Sequence, residues 1–387
     1  MVIGIIGSGA MGSGIAQVAA QNGCRTFVYD TEKAQLEKAQ KQIASSMTKL
    51  VEKGKISEDA LQSTLSNLEF VDELIQLSTC DLIIEAIVEI KEVKKNVFTQ
   101  LETLVKPSCI LASNTSSLSI ASLAASIKTP ERFIGIHFFN PATLMPLVEI
   151  IPSLSTDANT VKTCQHLISS WGKNVVLTKD TPGFIVNRVA RSYYSESIRI
   201  AEEQIADYAT IDWAMKSVGG FRMGPFELMD FIGNDVNYRV TESVWTQFFF
   251  EPRFKPSITQ QRLFESGFFG VKSGMGYYTY GVGILKPVPT EDQALGKLIF
   301  ERVLAMLINE AVDSYYLGIA SAKDLDIAMQ KGVNYPKGLL QWGEEFGWEK
   351  VLDILQDLFD SYGEDRYRPS ILLKKLAKGN KKIDWSI

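Results

Sequence analysis

The chain has 387 residues, a length that suggests two or three domains. Hydrophobic residues make up 45% of the sequence and charged residues 22%, which are ordinary values for a globular enzyme. The apolar runs are too short to cross a bilayer, so we expect no membrane partner. The net charge is −5 and long basic runs do not occur, so we also expect no nucleic-acid partner.

Cysteine usage and the N-terminal segment bear on location and metal content. The four cysteines are widely spaced and form no CxxC pair, so neither a disulfide framework nor a zinc site is expected. The chain enters a strand pattern directly, without a basic stretch and apolar targeting segment. We therefore expect a cytoplasmic protein without a bound metal.

The first 180 residues alternate short apolar runs with helical patterns. This alternation predicts a parallel sheet covered by helices on both faces, which is an α/β domain. Residues 1–180 are therefore interpreted as one domain. Its predicted strands are Val2–Ile6, Arg25–Tyr29, Leu82–Ala86, Ile110–Ser113, Phe133–His137 and Leu147–Ile151.

Beyond residue 180 the pattern is almost entirely helical and contains an internal repeat. Asp212-Trp-Ala-Met215 recurs 114 positions later as Asp326-Ile-Ala-Met329, and residues 253–257 recur 113 positions later as 366–370. A colinear series of matches indicates a tandem duplication. We therefore predict two copies of one helical domain, at 181–285 and 290–387. Further pairs at the offset of 114 are Arg188 with Arg302, Glu196 with Glu310, and Gly233 with Gly347.

A glycine-rich motif, Gly7-Ser-Gly-Ala-Met-Gly12, follows the first predicted strand and opens a helix. Alone, a GxGxxG pattern is also compatible with an ordinary glycine turn. Asp30 ends the next strand, where a carboxylate binds the ribose 2′-hydroxyl of a dinucleotide and repels a 2′-phosphate. The combination predicts a Rossmann-type NAD site made by Gly7, Gly9, Ala10, Met11, Gly12 and Asp30.

The chain has two histidines, and they stand in different contexts. His166 lies in an ordinary amphipathic helix, whereas His137 ends a strand, where ligands of open α/β sheets bind. Imidazole is the usual base for removing a hydroxyl proton as hydride leaves. Glu149 is the best candidate for a carboxylate that orients His137, with a surface carboxylate as the alternative.

Two further polar groups are candidates for substrate contacts. Ser113-Asn-Thr-Ser-Ser117 follows a strand and either caps the next helix or holds a substrate oxygen. Asn187 lies in the first helix after the domain boundary and is either a site residue or a plain helix-interior amide.

Together these motifs resemble the 3-hydroxyacyl-CoA dehydrogenase family. They are GIIGSGAMGSGIAQ, the YD at 29–30, SNTSSL, GIHFFNP, LVE, DTPGFIVNR and GPFELMDFIG, and they span residues 4–233 in the family's order. The resemblance implies a Rossmann-type NAD-binding domain followed by the family's all-α C-terminal domain, here in two tandem copies. It also implies reversible, NAD-dependent oxidation of (S)-3-hydroxyacyl-CoA to 3-oxoacyl-CoA in fatty-acid or aromatic-acid β-oxidation.

The resemblance assigns roles to particular residues. His137 would be the base and Glu149 its partner, while Ser116 and Asn187 would bind the substrate oxygen and support the histidine. The residues that fall where family members contact NAD are Asp30, Glu89, Lys94, Asn114 and Lys272. Ser46 and Lys53 fall where family members contact coenzyme A.

The tandem repeat departs from the short family members, which carry one helical domain and form homodimers through it. The counterpart of Asn187 in the second copy is Glu301, so that copy is expected to keep only a packing role. We therefore favour a monomer, with a homodimer as the alternative.

A dehydrogenase of a free sugar acid or hydroxy acid remains the alternative function. A non-catalytic NAD-binding protein is a second alternative, but such a protein would not need the four catalytic candidates, which are His137, Glu149, Ser116 and Asn187. The acyl chain length is left open.

Overall fold

In the computed structural model the described residues, 1–386, divide into two units. Eight strands form one sheet in the first unit. This unit comprises Met1–Thr181, and the second begins at Pro182. The spatial order of the strands is β3-β2-β1-β4-β5-β6-β7-β8. The strands are β1 Val2–Ile6, β2 Arg25–Tyr29, β3 Leu68–Val71, β4 Leu82–Glu85, β5 Ile110–Ser113, β6 Phe133–Phe138, β7 Leu147–Pro152 and β8 Asn174–Leu177.

Helices of the first unit pack on the sheet by apolar faces. In the long second helix the buried residues recur every three or four positions, at Leu36, Ala39, Ile43 and Met47, and this periodicity is typical of an amphipathic surface helix. The helices are α1 Ala10–Gln21, α2 Lys33–Glu52, α3 Glu58–Ser66, α4 Lys91–Leu104, α5 Ile120–Ala124 and α6 Ala158–Ser170.

The prediction of a parallel sheet is wrong for β7, the last of the predicted strands. Strand β7 runs antiparallel to β6, and β8 is parallel to β7. Only residues 139–146 connect β6 to β7, whereas a parallel crossover needs about a dozen residues or more. The antiparallel register sets His137 directly opposite Glu149. Strands β3 and β8 were not predicted, because each is only four residues long and partly exposed.

The second unit is helical in the described residues, apart from isolated bridges that join Gly270 to Met275 and Met275 to Thr279. No helix in the described part of the chain is long and apolar enough to cross a membrane. The helices are α7 Val186–Val189, α8 Arg191–Glu202, α9 Tyr208–Trp213, α10 Pro225–Ile232, α11 Asn234–Gln247, α12 Ile258–Glu265, α13 Gln293–Tyr316, α14 Ala322–Gly332, α15 Leu339–Phe346, α16 Trp348–Tyr362 and α17 Ile371–Ala377.

The repeated sequence forms repeated local structure. Asp212 accepts backbone N–H groups at the start of α10, and Asp326 does the same at the start of α15. Gly233 and Gly347, between consecutive helices, have φ angles of +107° and +95°, which favour glycine. These features support the proposal of two copies of one domain, at 181–285 and 290–387.

Helix α13 is buried on most sides, as its apolar sequence predicts. It packs against α8 of the proposed first copy and against α15, α16 and α17 of the second. Phe221 and Tyr335, which are equivalent in the repeat, contact each other with ring centroids 5.0 Å apart. A contact between equivalent residues is what an approximate two-fold relationship between the copies requires.

Candidate active site

The glycine-rich loop leaves room for a ligand next to its backbone. Gly7 has a φ of +95°, and a Cβ there would lie 2.7 Å from the carbonyl oxygen of Ala86. A Cβ on Gly12 would lie 1.8 Å from the carbonyl oxygen of Gly7, so α1 packs closely on the loop only because glycine is there. No atom lies within 4 Å of a Cβ built on Gly9. Ala10 and Met11 begin α1, whose N-terminus attracts a phosphate group.

Asp30 lies at the carboxyl end of β2 and is held by the glycine-rich loop. Its Oδ2 accepts hydrogen bonds from the backbone N–H of Ser8 at 2.7 Å and from the Ser8 hydroxyl at 2.8 Å. Its Oδ1 accepts the N–H of Glu32 at 3.1 Å. The carboxylate is thereby held beside the loop, as binding of a ribose hydroxyl requires. Sequence reasoning missed Ser8, since the residue between the first two glycines can vary.

A buried ion pair lies at the ends of β4 and β5. Glu85 is fully buried and accepts hydrogen bonds from Lys94 Nζ at 2.6 Å, Ser113 Oγ at 2.6 Å and Ile87 N at 2.7 Å. Lys94 is only 1% exposed and also contacts Glu89 at 3.1 Å. Sequence reasoning named Lys94 and missed Glu85. The available signal was a carboxylate at the end of an otherwise apolar strand.

Glu89 joins this ion pair to the predicted substrate loop. Its Oε1 accepts the Thr115 hydroxyl, the Ser116 N–H at 3.1 Å and the Ser117 hydroxyl at 3.0 Å. Burial alone would raise the pKa of Glu89, but the Lys94 charge and the bond from Thr115 hold that pKa below its ordinary value. Glu89 is therefore ionised at neutral pH and orders the loop that carries Ser116.

His137 and Glu149 form a buried pair across strands β6 and β7. The distance between His137 Nδ1 and Glu149 Oε2 is 2.7 Å, and the two side chains are 7% and 1% exposed. Nearby, Asn114 Oδ1 accepts the N–H of Phe138 at 2.8 Å and so ties the end of β5 to the end of β6. The sheet thus brings together Glu89, Lys94, Asn114, Ser116 and the His137–Glu149 pair at neighbouring strand ends.

A basic groove follows α2 in the same unit. The groove has a volume of about 760 Å³, and both Ser46 and Lys53 line it. Four lysines and one glutamate line it, so its net charge is positive, which favours a ligand with several phosphate groups. Its lining residues are Ala34, Glu37, Lys38, Lys41, Gln42, Ser45, Ser46, Lys49, Leu50 and Lys53.

Two predicted site residues belong to the second unit. Asn187 is half-buried on the short helix α7. Lys272 is half-exposed in a 3₁₀ turn, Val271–Ser273, and pairs with Asp235 at 2.5 Å. Among the described residues, no group of three or more His, Cys, Asp or Glu side chains could hold a metal ion.

The chain matches models of one protein family over nearly its whole length. Residues 2–181 match the NAD-binding domain of 3-hydroxyacyl-CoA dehydrogenase. Residues 183–280 and again 298–383 match the C-terminal domain of the same family.

Similar proteins are named as dehydrogenases of particular 3-hydroxyacyl-CoA thioesters. The chain is 38% identical to 3-hydroxyadipyl-CoA dehydrogenase of Escherichia coli K12, with 97% of each chain covered. A crystal structure of 3-hydroxybutyryl-CoA dehydrogenase from Escherichia coli K12 superposes with a TM-score of 0.93 at 37% identity, covering 98% of each chain. A probable 3-hydroxybutyryl-CoA dehydrogenase of Deinococcus radiodurans is 40% identical over 72% of this chain and all of its own length. The chain belongs to the 3-hydroxyacyl-CoA dehydrogenase family and is an NAD-dependent oxidoreductase.

Proposed function

We propose that the chain oxidises (S)-3-hydroxyacyl-CoA to 3-oxoacyl-CoA with His137 as general base and Glu149 as its positioning partner. The observation that carries this assignment is the buried 2.7 Å contact between His137 Nδ1 and Glu149 Oε2 at the strand ends. Because Nδ1 is bonded to the carboxylate, Nε2 is the ring nitrogen that takes the proton of the substrate hydroxyl.

Proton removal and hydride loss are coupled at carbon 3 of the substrate. As the proton passes from the hydroxyl to His137 Nε2, the C3–H electron pair leaves and the C–O double bond forms. NAD, when bound, accepts that hydride. Glu149 stabilises the imidazolium, and the family resemblance assigns binding of the substrate oxygen to Ser116 and to Asn187. Asp30 and the loop Gly7–Gly12 would hold the dinucleotide, together with Glu89, Lys94, Asn114 and Lys272.

Coenzyme A thioesters are favoured over free hydroxy acids by the basic groove along α2. A free acid has no phosphates to place there, whereas coenzyme A has three, and Ser46 and Lys53 line the groove. The direct test compares NADH oxidation with acetoacetyl-CoA and with free acetoacetate. We expect turnover of the thioester alone. Equal turnover of acetoacetate would favour the alternative of a free-acid dehydrogenase.

We further propose a cytoplasmic monomer in which the second helical copy replaces a partner subunit. The packing of α13 on α8 supports this role, because a surface already buried within the chain does not need a second subunit. Sedimentation of the full chain at micromolar concentration tests it. We expect the mass of one chain, and a stable dimer would contradict the proposal.

A further inference from the structure

Arg191 is a buried cation without a carboxylate partner. Its side chain lies over the ring of Tyr194 and donates to Thr241 Oγ1 at 3.1 Å and, at the limit of a hydrogen bond, to the Asn237 carbonyl oxygen at 3.5 Å. Its Nε has no partner, and no carboxylate of the described residues forms an ion pair with it. Burial lowers the pKa of Arg191.

The other buried arginines of this unit are neutralised. Arg188 and Arg253 pair with Glu310, and Arg302 pairs with Glu196. An ionised side chain that is taken out of water costs several kcal/mol unless an opposite charge and hydrogen bonds compensate it. Arg191 is thus the exception among these four side chains.

The internal repeat provides a comparison within the same molecule. The polar set around Arg191 consists of Tyr194, Asn237, Thr241 and Gln260, whose amide donates to Asn237 Oδ1 at 2.8 Å. In the second copy the positions that correspond to these five residues are all apolar, and all are fully buried. They are Ala305, Ile308, Val351, Leu355 and Leu373. The fold therefore does not need polar residues at these positions. The polar set occurs only in the copy that carries Asn187, whose counterpart is Glu301.

Arg191 also lies close to a predicted substrate contact. It follows Asn187 by four residues, and the intervening Ala190 keeps a helical backbone, so the two side chains share one face about 6 Å apart along the axis. The hydroxyl of Tyr335 is buried without a hydrogen-bond partner, and the Tyr335 ring contacts that of Tyr193, two residues after Arg191, with centroids 5.7 Å apart. Its counterpart in the first copy is Phe221, which has no hydroxyl.

We propose that Arg191 binds a carboxylate at the far end of the acyl chain, so that the preferred substrate is a 3-hydroxy-dicarboxylyl-CoA. This inference rests on the proposed function, in which Asn187 holds the oxygen on carbon 3. Three carbon–carbon bonds separate carbon 3 from the terminal carboxylate of a six-carbon diacid, and this span suits groups one helical turn apart. Guanidinium and carboxylate form paired, charge-assisted hydrogen bonds, and Tyr335 offers a further donor.

The first experiment uses the unmodified protein and two thioesters of equal chain length. Steady-state kinetics with NAD compare 3-hydroxyadipyl-CoA, which ends in a carboxylate, with 3-hydroxyhexanoyl-CoA, which ends in a methyl group. We expect kcat/KM to be about tenfold to a hundredfold higher for the adipyl substrate, the effect of one charge-assisted contact. Equal values, or a preference for the hexanoyl substrate, overturn the Arg191 proposal. Failure to oxidise either one overturns the proposed function instead.

A variant series then tests whether Arg191 itself causes the preference. Arg191→Met removes the charge at similar length, and we expect it to abolish the preference while turnover of 3-hydroxyhexanoyl-CoA stays within about threefold of wild type. Arg191→Lys should restore part of the preference. Arg239→Met, at an exposed arginine of α11, is the matched control and should keep all of it. A preference retained in Arg191→Met contradicts the assignment.

A binding measurement covers the case in which the variant folds poorly. Isothermal titration of the wild-type protein with adipyl-CoA and hexanoyl-CoA, which have no hydroxyl to oxidise, compares the two chain ends without turnover. We expect adipyl-CoA to bind at least about tenfold more tightly. Equal dissociation constants would show that the site does not recognise the terminal carboxylate.

Discussion

Arg188 donates from Nε to Oε1 of Glu310 at 2.5 Å, although 122 positions separate the two residues. The repeat supplies the reciprocal bond, in which Arg302 Nε donates to Glu196 Oε1 at 2.6 Å. Each arginine thus binds the glutamate of the other copy. This exchange is the pattern of an isologous interface between two subunits, here formed within one chain.

The first prediction concerns acid stability. Burial alone would raise the pKa of Glu310, but the charges of Arg188 and Arg253 outweigh it and hold that pKa below its ordinary value of 4.5. The stabilisation is therefore complete above about pH 4.5 and is lost as the pH falls through the lower, folded-state value. Glu310→Gln should lower the free energy of unfolding by about 3 kcal/mol at pH 7, because two buried arginines lose their shared partner.

Urea unfolding at pH 7 and at pH 3 to 4 measures this effect. The difference in free energy of unfolding between wild type and Glu310→Gln should shrink as the pH falls. Glu291→Gln, at an exposed carboxylate, is the control and should change stability little at either pH. If the difference in free energy of unfolding between the two proteins stays constant with pH, the charge of Glu310 does not contribute to stability.

The second prediction concerns the base. Replacing His137 with Gln should lower kcat by about a hundredfold or more, which is the usual effect of losing an acid–base group. NADH affinity, measured by fluorescence titration, should hardly change. His166→Gln, at the exposed histidine of α6, provides a control that should turn over normally. Near-normal turnover of His137→Gln would exclude His137 as the base.

The third prediction separates the role of Glu149 from that of His137. Glu149→Gln preserves shape and removes the negative charge, so the imidazolium formed during oxidation loses its counter-charge. We expect kcat to be lower than in the wild type. We also expect the increase of kcat with pH to begin at a lower pH than in the wild type. A purely structural role would leave the shape of that profile unchanged.

The fourth prediction concerns cofactor choice. Asp30→Ala removes the carboxylate that Ser8 holds beside the glycine-rich loop. KM for NAD should rise and the ratio of kcat/KM between NAD and NADP should narrow, because a 2′-phosphate no longer meets a like charge. Ser8→Ala should cause a smaller change in the same direction. If the wild-type protein already prefers NADP, this interpretation of Asp30 is wrong.

Local sequence patterns were sufficient for much of the fold. The glycine spacing of Gly7–Gly12 and the position of Asp30 predict a strand, a turn and a helix, because each of these features depends on neighbours along the chain. The offset of 114 likewise predicts repeated helices, since equal sequences form equal local structure. The position of His137 at the end of an apolar strand marked it as a candidate.

Relationships between distant segments were decided by the tertiary structure. Whether β7 runs parallel or antiparallel is a property of strand pairing, and the antiparallel register is what sets Glu149 opposite His137. Glu85 becomes an ion-pair partner only because α4 carries Lys94 back over the end of β4. Arg191 has no sequence signal at all. Its lack of a negative partner depends on which side chains the packing of α8 against α11 places around it, and a buried charge is costly only once that packing has excluded water.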